Sequence, residues 1–168
     1  MNLQHLIHKA EHSGFYLWIL NLILSRKIPF NAAHRFRITD IGEGKIEILI
    51  PYRRSNLNHI KSIHACALAT ASEYATGFCL TTLLPEGEYR LILKSLSNEY
   101  FYQGKKDVSV RFEMDKNNFI KFLEEIPADT GAALLKLEAK AFDTDKNHIS
   151  TSQVEWQLKK WAHVKTKV

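Results

Sequence analysis

The 168-residue chain combines 45% hydrophobic with 24% charged residues, a balance that excludes a disordered or fibrous protein and predicts a single domain over residues 1–168. The sequence has no run of about 20 apolar residues, so we expect no transmembrane span, no stable membrane insertion and a cytoplasmic location. The net charge of +5 comes from small basic groups rather than one dense patch, which argues against nucleic acid as a partner.

The first half of the chain predicts helices on either side of a hairpin. An apolar run at residues 15–24 indicates a helix, within an N-terminal extension (residues 1–28) packed on the domain. Residues 35–41 and 45–52 flank a glycine-containing turn, and the alternation in the second segment predicts a β-hairpin. Residues 62–83 are small and apolar, which predicts a long buried helix.

The second half of the chain predicts mainly strands. In chain order these are strands at 89–93 and 108–114, an amphipathic helix at 117–126, and strands at 131–142 and 149–163. No βαβ unit recurs, so a doubly wound parallel sheet is not expected. The predicted fold class is α+β, with an antiparallel sheet wrapped around one long buried helix and an extra N-terminal helix.

Glu73 is the candidate catalytic residue because it is the only charged residue in the predicted buried helix. A carboxylate among small apolar neighbours loses hydration unless it faces a polar cleft or a subunit seam. Either setting tends to raise its pKa toward neutrality, which suits a general base or a nucleophile. A structural role, with hydrogen bonds to Thr70 or Ser72, is the alternative.

A polar stretch at residues 56–64 leads into the start of this helix. Free backbone N–H groups near Ala65 and the positive end of the helix dipole predict a site for an oxyanion. His64 and Glu73 are nine residues apart, which is half a turn out of phase on a helix. Two copies related by a two-fold axis would bring them together, so the spacing favours a site shared across a homodimer interface.

The pattern Asn58-x5-His64-x8-Glu73 resembles that of the hotdog-fold acyl-CoA thioesterases, especially their phenylacetate-pathway-like branch. In that branch an Asn precedes a His-Gly-Gly at the helix start, and an acidic residue follows nine positions after the His. Here Ala65-Cys66 stands in place of the Gly-Gly, which restricts the approach of a bulky thioester to the backbone. In this respect the chain is more similar to a poorly characterised bacterial branch of the same superfamily.

The resemblance implies hydrolysis of an acyl thioester carried by CoA or by an acyl-carrier protein. It makes Glu73 the base or nucleophile, Asn58 an orienting residue, His64 a ligand of the carbonyl side and the Ala65 N–H an oxyanion donor. The Glu73 carboxylate and the Ala65 N–H of one site then come from different subunits of a homodimer. The resemblance does not decide whether two dimers pair into a tetramer. No cofactor is expected beyond the CoA of the substrate. The expected substrate-binding residues are His59, Arg53, Arg54, Lys105 and Lys106.

Two other functions are compatible with the same segment. His59 lies fourteen residues before Glu73, a spacing similar to that of hotdog hydroxyacyl-carrier-protein dehydratases, but their Phe-Pro-Gly after the His is replaced by residues 60–62. A non-catalytic hotdog dimer that binds an acyl chain or a partner is the other alternative, and the missing Gly-Gly favours it.

Cysteine and histidine spacing predicts no metal site. Cys66 and Cys79 form no CxxC pair and are expected to be small hydrophobic core residues. His5, His8 and His12 share one face of a terminal helix, which is compatible with a metal but more typical of a solvated surface.

Overall fold

The computed structural model describes residues 3–164, so residues 1–2 and 165–168 of the predicted domain lie outside the described range. Three helices come first: α1 (Leu3–Ala10), α2 (Gly14–Lys27) and α3 (Pro29–His34). The hairpin β1 (Arg37–Gly42) and β2 (Lys45–Ile50) and the long helix α4 (Ala65–Leu83) follow. The remaining elements are β3 (Tyr89–Tyr100), β4 (Val108–Glu113), α5 (Lys116–Glu124), β5 (Ala132–Asp143) and β6 (His148–Lys160).

The six strands form one sheet in the order β1-β2-β4-β5-β6-β3, and every neighbouring pair is antiparallel. The strand β3 pairs with β6 along its whole length, and the register shifts at a bulge between Leu93 and Ser95. Within residues 3–164 the outer edge of β3 has no strand partner. A long unpaired edge of this kind is a template for pairing with another chain.

Helix α4 packs against five strands, β2 to β6, and supplies the centre of the core. Its small residues Ala71, Ala75 and Gly77 are buried, as are the larger Leu68 and Leu80. The facing strand residues alternate inward, as the pattern predicts for Ile46, Ile48 and Ile50. The predicted α+β class, with an antiparallel sheet around one long helix, is confirmed.

The N-terminal region contains more helix than the sequence pattern predicts. Leu6 and Ile7 of α1 and Leu20 of α2 are almost fully buried in the common core. Pro29 begins α3, a helix of six residues that is too short to show a helical period. No helix within residues 3–164 is both long and apolar enough to cross a membrane.

Gly77 marks a close approach between α4 and the sheet. A Cβ at this position would lie 2.7 Å from Cζ2 of Trp156, whose indole N–H donates to the Thr76 hydroxyl at 3.0 Å. We expect Gly77→Ala to displace the indole and to lower the free energy of unfolding by about 1–3 kcal/mol, despite the better helix propensity of alanine. Chemical denaturation measures this loss. Gly14→Ala is the matched control, because a Cβ there meets no atom within 4 Å, and equal stability of the two variants would contradict the prediction.

Candidate functional site

Two adjoining cavities lie along one face of α4, beside α3. The first has a volume of about 270 Å³ and is lined by His34, His64 and Cys66, among others. The second has a volume of about 440 Å³, and its lining includes Glu73. Phe30 of α3 and Thr70 of α4 line both cavities. We call the two cavities together the α4 groove.

Glu73 lies in the second cavity as a half-buried carboxylate. Within residues 3–164 its side chain has no hydrogen-bond or ion-pair partner, and burial alone raises its pKa above the ordinary value. Burial, reinforced by the negative charge of Glu73, also raises the pKa of the neighbouring Tyr74 phenol. The hydrogen bonds to Thr70 or Ser72 that a structural role would need are not formed within residues 3–164, and the Ser72 hydroxyl instead pairs with the Ser152 hydroxyl at 2.7 Å. A carboxylate in this state is poised to take up a proton.

His64 is the N-cap of α4, and its Nδ1 accepts a hydrogen bond from the Cys66 N–H at 3.0 Å. Because that donor requires a lone pair on Nδ1, the neutral imidazole carries its proton on Nε2. The His64 ring, which lines the first cavity, therefore has its N–H donor at Nε2. Ala65, the first residue of the helix, is exposed beside it, and its carbonyl accepts from the Tyr100 hydroxyl at 3.3 Å.

Asn58 holds the turn that leads into this helix. Its Oδ1 accepts from the backbone N–H groups of Ile60 at 3.1 Å and Ser62 at 3.0 Å, across a turn in which Lys61 has φ 57°. Asn58 is not among the residues that line the α4 groove. Its side-chain oxygen is engaged within the loop that leads to His64.

Two residues of the site, Asn56 and His34, were not predicted from the sequence pattern. The Asn56 amide is only 1% exposed and donates to the carbonyls of His34 and Pro51, each at 2.9 Å. Since carbonyls only accept, the amide orientation is fixed, and Asn56 Oδ1 accepts from His34 Nδ1 at 2.9 Å. The lone pair of His34 therefore lies on Nε2. The backbone carbonyl of Asn56 also accepts from the His64 N–H at 2.8 Å, so Asn56 links both histidines.

The predicted substrate-binding residues are not brought together. Lys105 and Lys106 line a separate cavity of about 500 Å³, where Lys106 forms an ion pair with Asp145. Arg53 lines another cavity, of about 550 Å³. Two of the predicted residues, His59 and Arg54, are exposed and line neither the α4 groove nor these two cavities.

The two cysteines differ, and the prediction that both are core residues is wrong for one of them. Cys79 is buried, and burial raises its pKa to about 12. Cys66 is exposed because it lies in the first turn of α4, at the groove. Within residues 3–164, one group of donors is compact enough for a metal: His8, Glu11 and His12, whose ligand atoms lie within 4.8 Å of one another beside a different cavity.

Comparison with solved structures defines the class of this fold. PA5026 of Pseudomonas aeruginosa, described as a probable thioesterase, superposes with a TM-score of 0.75 at 24% identity, covering 91% of this chain and 95% of that one. The thioesterase HI1161 of Haemophilus influenzae superposes with a TM-score of 0.68 at 14% identity, covering 86% and 90%. The chain therefore has a thioesterase-like hotdog fold, as the resemblance carried by Asn58, His64 and Glu73 implies.

The family follows from a direct sequence match. The model of the domain of unknown function DUF4442 matches residues 17–164, and the chain belongs to that family. No curated protein matches the sequence significantly.

Proposed function

We propose that this protein hydrolyses acyl thioesters by carboxylate-assisted attack of water in the α4 groove. The observation that carries the proposal is Glu73, a half-buried carboxylate that has a raised pKa and no partner within residues 3–164. Its cavity is otherwise largely apolar, with Tyr74, Phe78 and Trp156 in the lining, which suits an acyl chain. The proposal requires no cofactor beyond the carrier of the acyl group.

In the proposed reaction the ionised Glu73 accepts a proton from water as the water oxygen attacks the thioester carbonyl carbon. The N–H of Ala65, at the positive end of α4, and the Nε2–H of His64 stabilise the oxyanion. The C–S bond then breaks, and the thiolate takes up the proton held by Glu73, which gives a carboxylic acid and a thiol and regenerates the carboxylate. Asn58 and Asn56 are positioning residues, because they fix the loop and the orientation of the histidines.

We also propose that the active unit is a homodimer formed by two copies of β3. The outer edge of this 12-residue strand is free within residues 3–164, and Leu91 of β3 lines the cavity that contains Glu73. Pairing of two such edges would continue the sheet across the interface and close the cavity on that side. The dimer would thus exclude bulk water from the carboxylate.

Thiol release from acetyl-, phenylacetyl- and palmitoyl-CoA tests the proposed hydrolysis. We expect turnover of at least one of these thioesters, with equal amounts of thiol and carboxylic acid formed. Hydration of crotonyl-CoA in the absence of thiol release would instead identify a dehydratase. Absence of both reactions in a protein that retains co-purified lipid would identify an acyl-binding dimer.

A further inference from the structure

A third cavity, beside the α4 groove, contains three arginines and no acidic residue. It has a volume of about 550 Å³ and lies between α2, the segment that joins α3 to β1, and the segment after β2. We call it the arginine cleft, and the residues that matter in its lining are Trp18, Arg35, Phe36, Arg37 and Arg53.

The three guanidinium groups lack partners within residues 3–164. None of them forms an ion pair there, whereas Arg111 is paired with Glu47. The Nη1 of Arg53 is buried without any hydrogen-bond partner. Buried donors in proteins are nearly always satisfied, so an unsatisfied guanidinium N–H indicates a missing acceptor. Three like charges around one cleft would be stabilised by a bound anion.

The local backbone brings these side chains to one place. Arg35 ends α3 in the left-handed conformation, with φ 55°, which is unfavourable for a residue with a Cβ. From Arg35 onward the side chains alternate between exposed and buried positions. Arg35 and Arg37 are exposed, whereas Phe36 and Ile38 are buried. Arg53 reaches the same cleft from an extended segment after β2.

We propose that the arginine cleft binds the nucleotide phosphates of a CoA thioester, an inference that rests on the proposed hydrolysis and assigns its carrier. The planar, doubly donating guanidinium matches phosphate oxygens better than any other side chain. The indole of Trp18 is 59% exposed at this cleft and offers a stacking surface for a nucleobase. The volume lies within the range of small-molecule sites.

The cleft also adjoins the α4 groove. Phe36 lines both the arginine cleft and the first cavity of the groove, and Phe30 and Thr70 connect that cavity to the cavity of Glu73. A ligand with its phosphates on the arginines would direct its arm past Phe36 toward the carboxylate. The long, flexible arm between nucleotide and thioester in CoA fits this path.

The cavity lined by Lys105 and Lys106 is a poorer site for the same phosphates. Its lining includes two carboxylates, Asp143 and Asp145, and the latter already pairs with Lys106. The Asp143 carboxylate accepts hydrogen bonds from Asn147 and from the Asp145 N–H, which hold it ionised. Negative charge in this cavity opposes a polyanion, whereas none of the residues that line the arginine cleft is acidic.

Calorimetric titration with adenosine 3′-phosphate 5′-diphosphate, the nucleotide end of CoA without the pantetheine arm and the thioester, tests the proposal. We expect the Arg35→Ala/Arg37→Ala variant to bind this nucleotide about tenfold more weakly than the wild type, or worse. The control variant Lys121→Ala/Lys136→Ala removes the same charge elsewhere and should bind normally. Unchanged binding in the arginine variant, or a loss confined to Lys105→Ala/Lys106→Ala, would overturn the proposal.

Two further measurements distinguish nucleotide binding in the arginine cleft from thioester hydrolysis and from membrane binding. Nucleotide binding needs no turnover, so it stands or fails independently of hydrolysis. If the protein hydrolyses thioesters, the arginine variant should raise KM for an acyl-CoA and leave KM for the matching acyl-pantetheine unchanged. The exposed Phe15, Trp18 and Leu22 of α2 make an anionic membrane the competing source of phosphate. Arginine-dependent sedimentation with phosphatidylglycerol vesicles, without nucleotide binding, would assign the cleft to lipid and overturn our inference.

Discussion

Replacing Glu73 by glutamine is expected to lower kcat for thioester hydrolysis by about 10²–10⁴-fold, the usual contribution of a positioned base. Glutamine keeps the size and one accepting oxygen, but it does not accept a proton from water. The apolar lining of the cavity is unchanged, so KM should change little. Steady-state kinetics on the best substrate of the acyl-CoA panel measures both constants, and unchanged turnover would remove Glu73 from the mechanism.

The pH dependence of the wild type provides a second test of the same residue. Burial raises the pKa of Glu73 above the ordinary value of 4.5, so the carboxyl stays protonated at pH values where an exposed glutamate is ionised. The value of kcat/KM should therefore fall, as the pH is lowered, through a limb centred above pH 4.5. Residual activity of the glutamine variant should lack this limb.

Glu73→Gln should also stabilise the protein at neutral pH. Because the pKa is raised on folding, the folded state binds more protons than the unfolded state between the ordinary and the raised pKa, and stability decreases as the pH rises through that window. At pH 7 the wild type thus carries a destabilising buried charge that the variant lacks. Thermal melts should show a higher Tm for the variant at pH 7 and a smaller difference at pH 4.

The matched control for this stability effect is Glu138→Gln. Hydrogen bonds from Lys140 and Gln153 lower the pKa of Glu138, so its charge is favoured in the folded state. Loss of that charge should give no gain in Tm at pH 7. A decrease in Tm for Glu73→Gln would show that the Glu73 carboxylate has a stabilising partner, contrary to the geometry of the groove.

Local patterns predicted the elements of the fold but not all of the site. The alternation of Ile46 to Ile50 and the apolar run of α4 determine local structure, so the hairpin and the central helix could be read from neighbouring residues. The hydrogen bond between His34 and Asn56 joins residues 22 positions apart, and His34 ends α3, a helix too short to leave a periodic signal. Contacts of this kind depend on tertiary packing.

The relative phase of His64 and Glu73 illustrates the same limit. A half-turn separation requires His64 to be a helical residue, but His64 is the N-cap and has an extended backbone, with ψ 138°. The rotation of 100° per residue applies only from Ala65 onward. Cys66 is seven residues before Glu73, a rotation of 700° that differs from two full turns by about 20°. The first turn of α4 and Glu73 therefore lie on the same face of the helix, about 10 Å apart along its axis, and they line the two cavities of the groove.

In the proposed homodimer a second subunit closes the cavity of Glu73 along β3, and this role predicts a large effect of a single charge at that edge. Leu93 lies near the middle of β3, next to the bulge, and is 39% exposed. In the proposed dimer, Leu93→Lys brings two like charges close to the two-fold axis, where they lose hydration.

We expect Leu93→Lys to convert the dimer to a monomer and to lower kcat/KM by about tenfold or more, since the cavity of Glu73 would lose the additional shielding from bulk water that the partner strand provides. Analytical ultracentrifugation and the thiol-release assay measure the two effects together. Ile120→Lys on α5 is the matched control, because Ile120 is 42% exposed and lies outside β3. A Leu93→Lys protein that remains dimeric and active would place the interface elsewhere, and a fully active monomer would show that one chain completes the site alone.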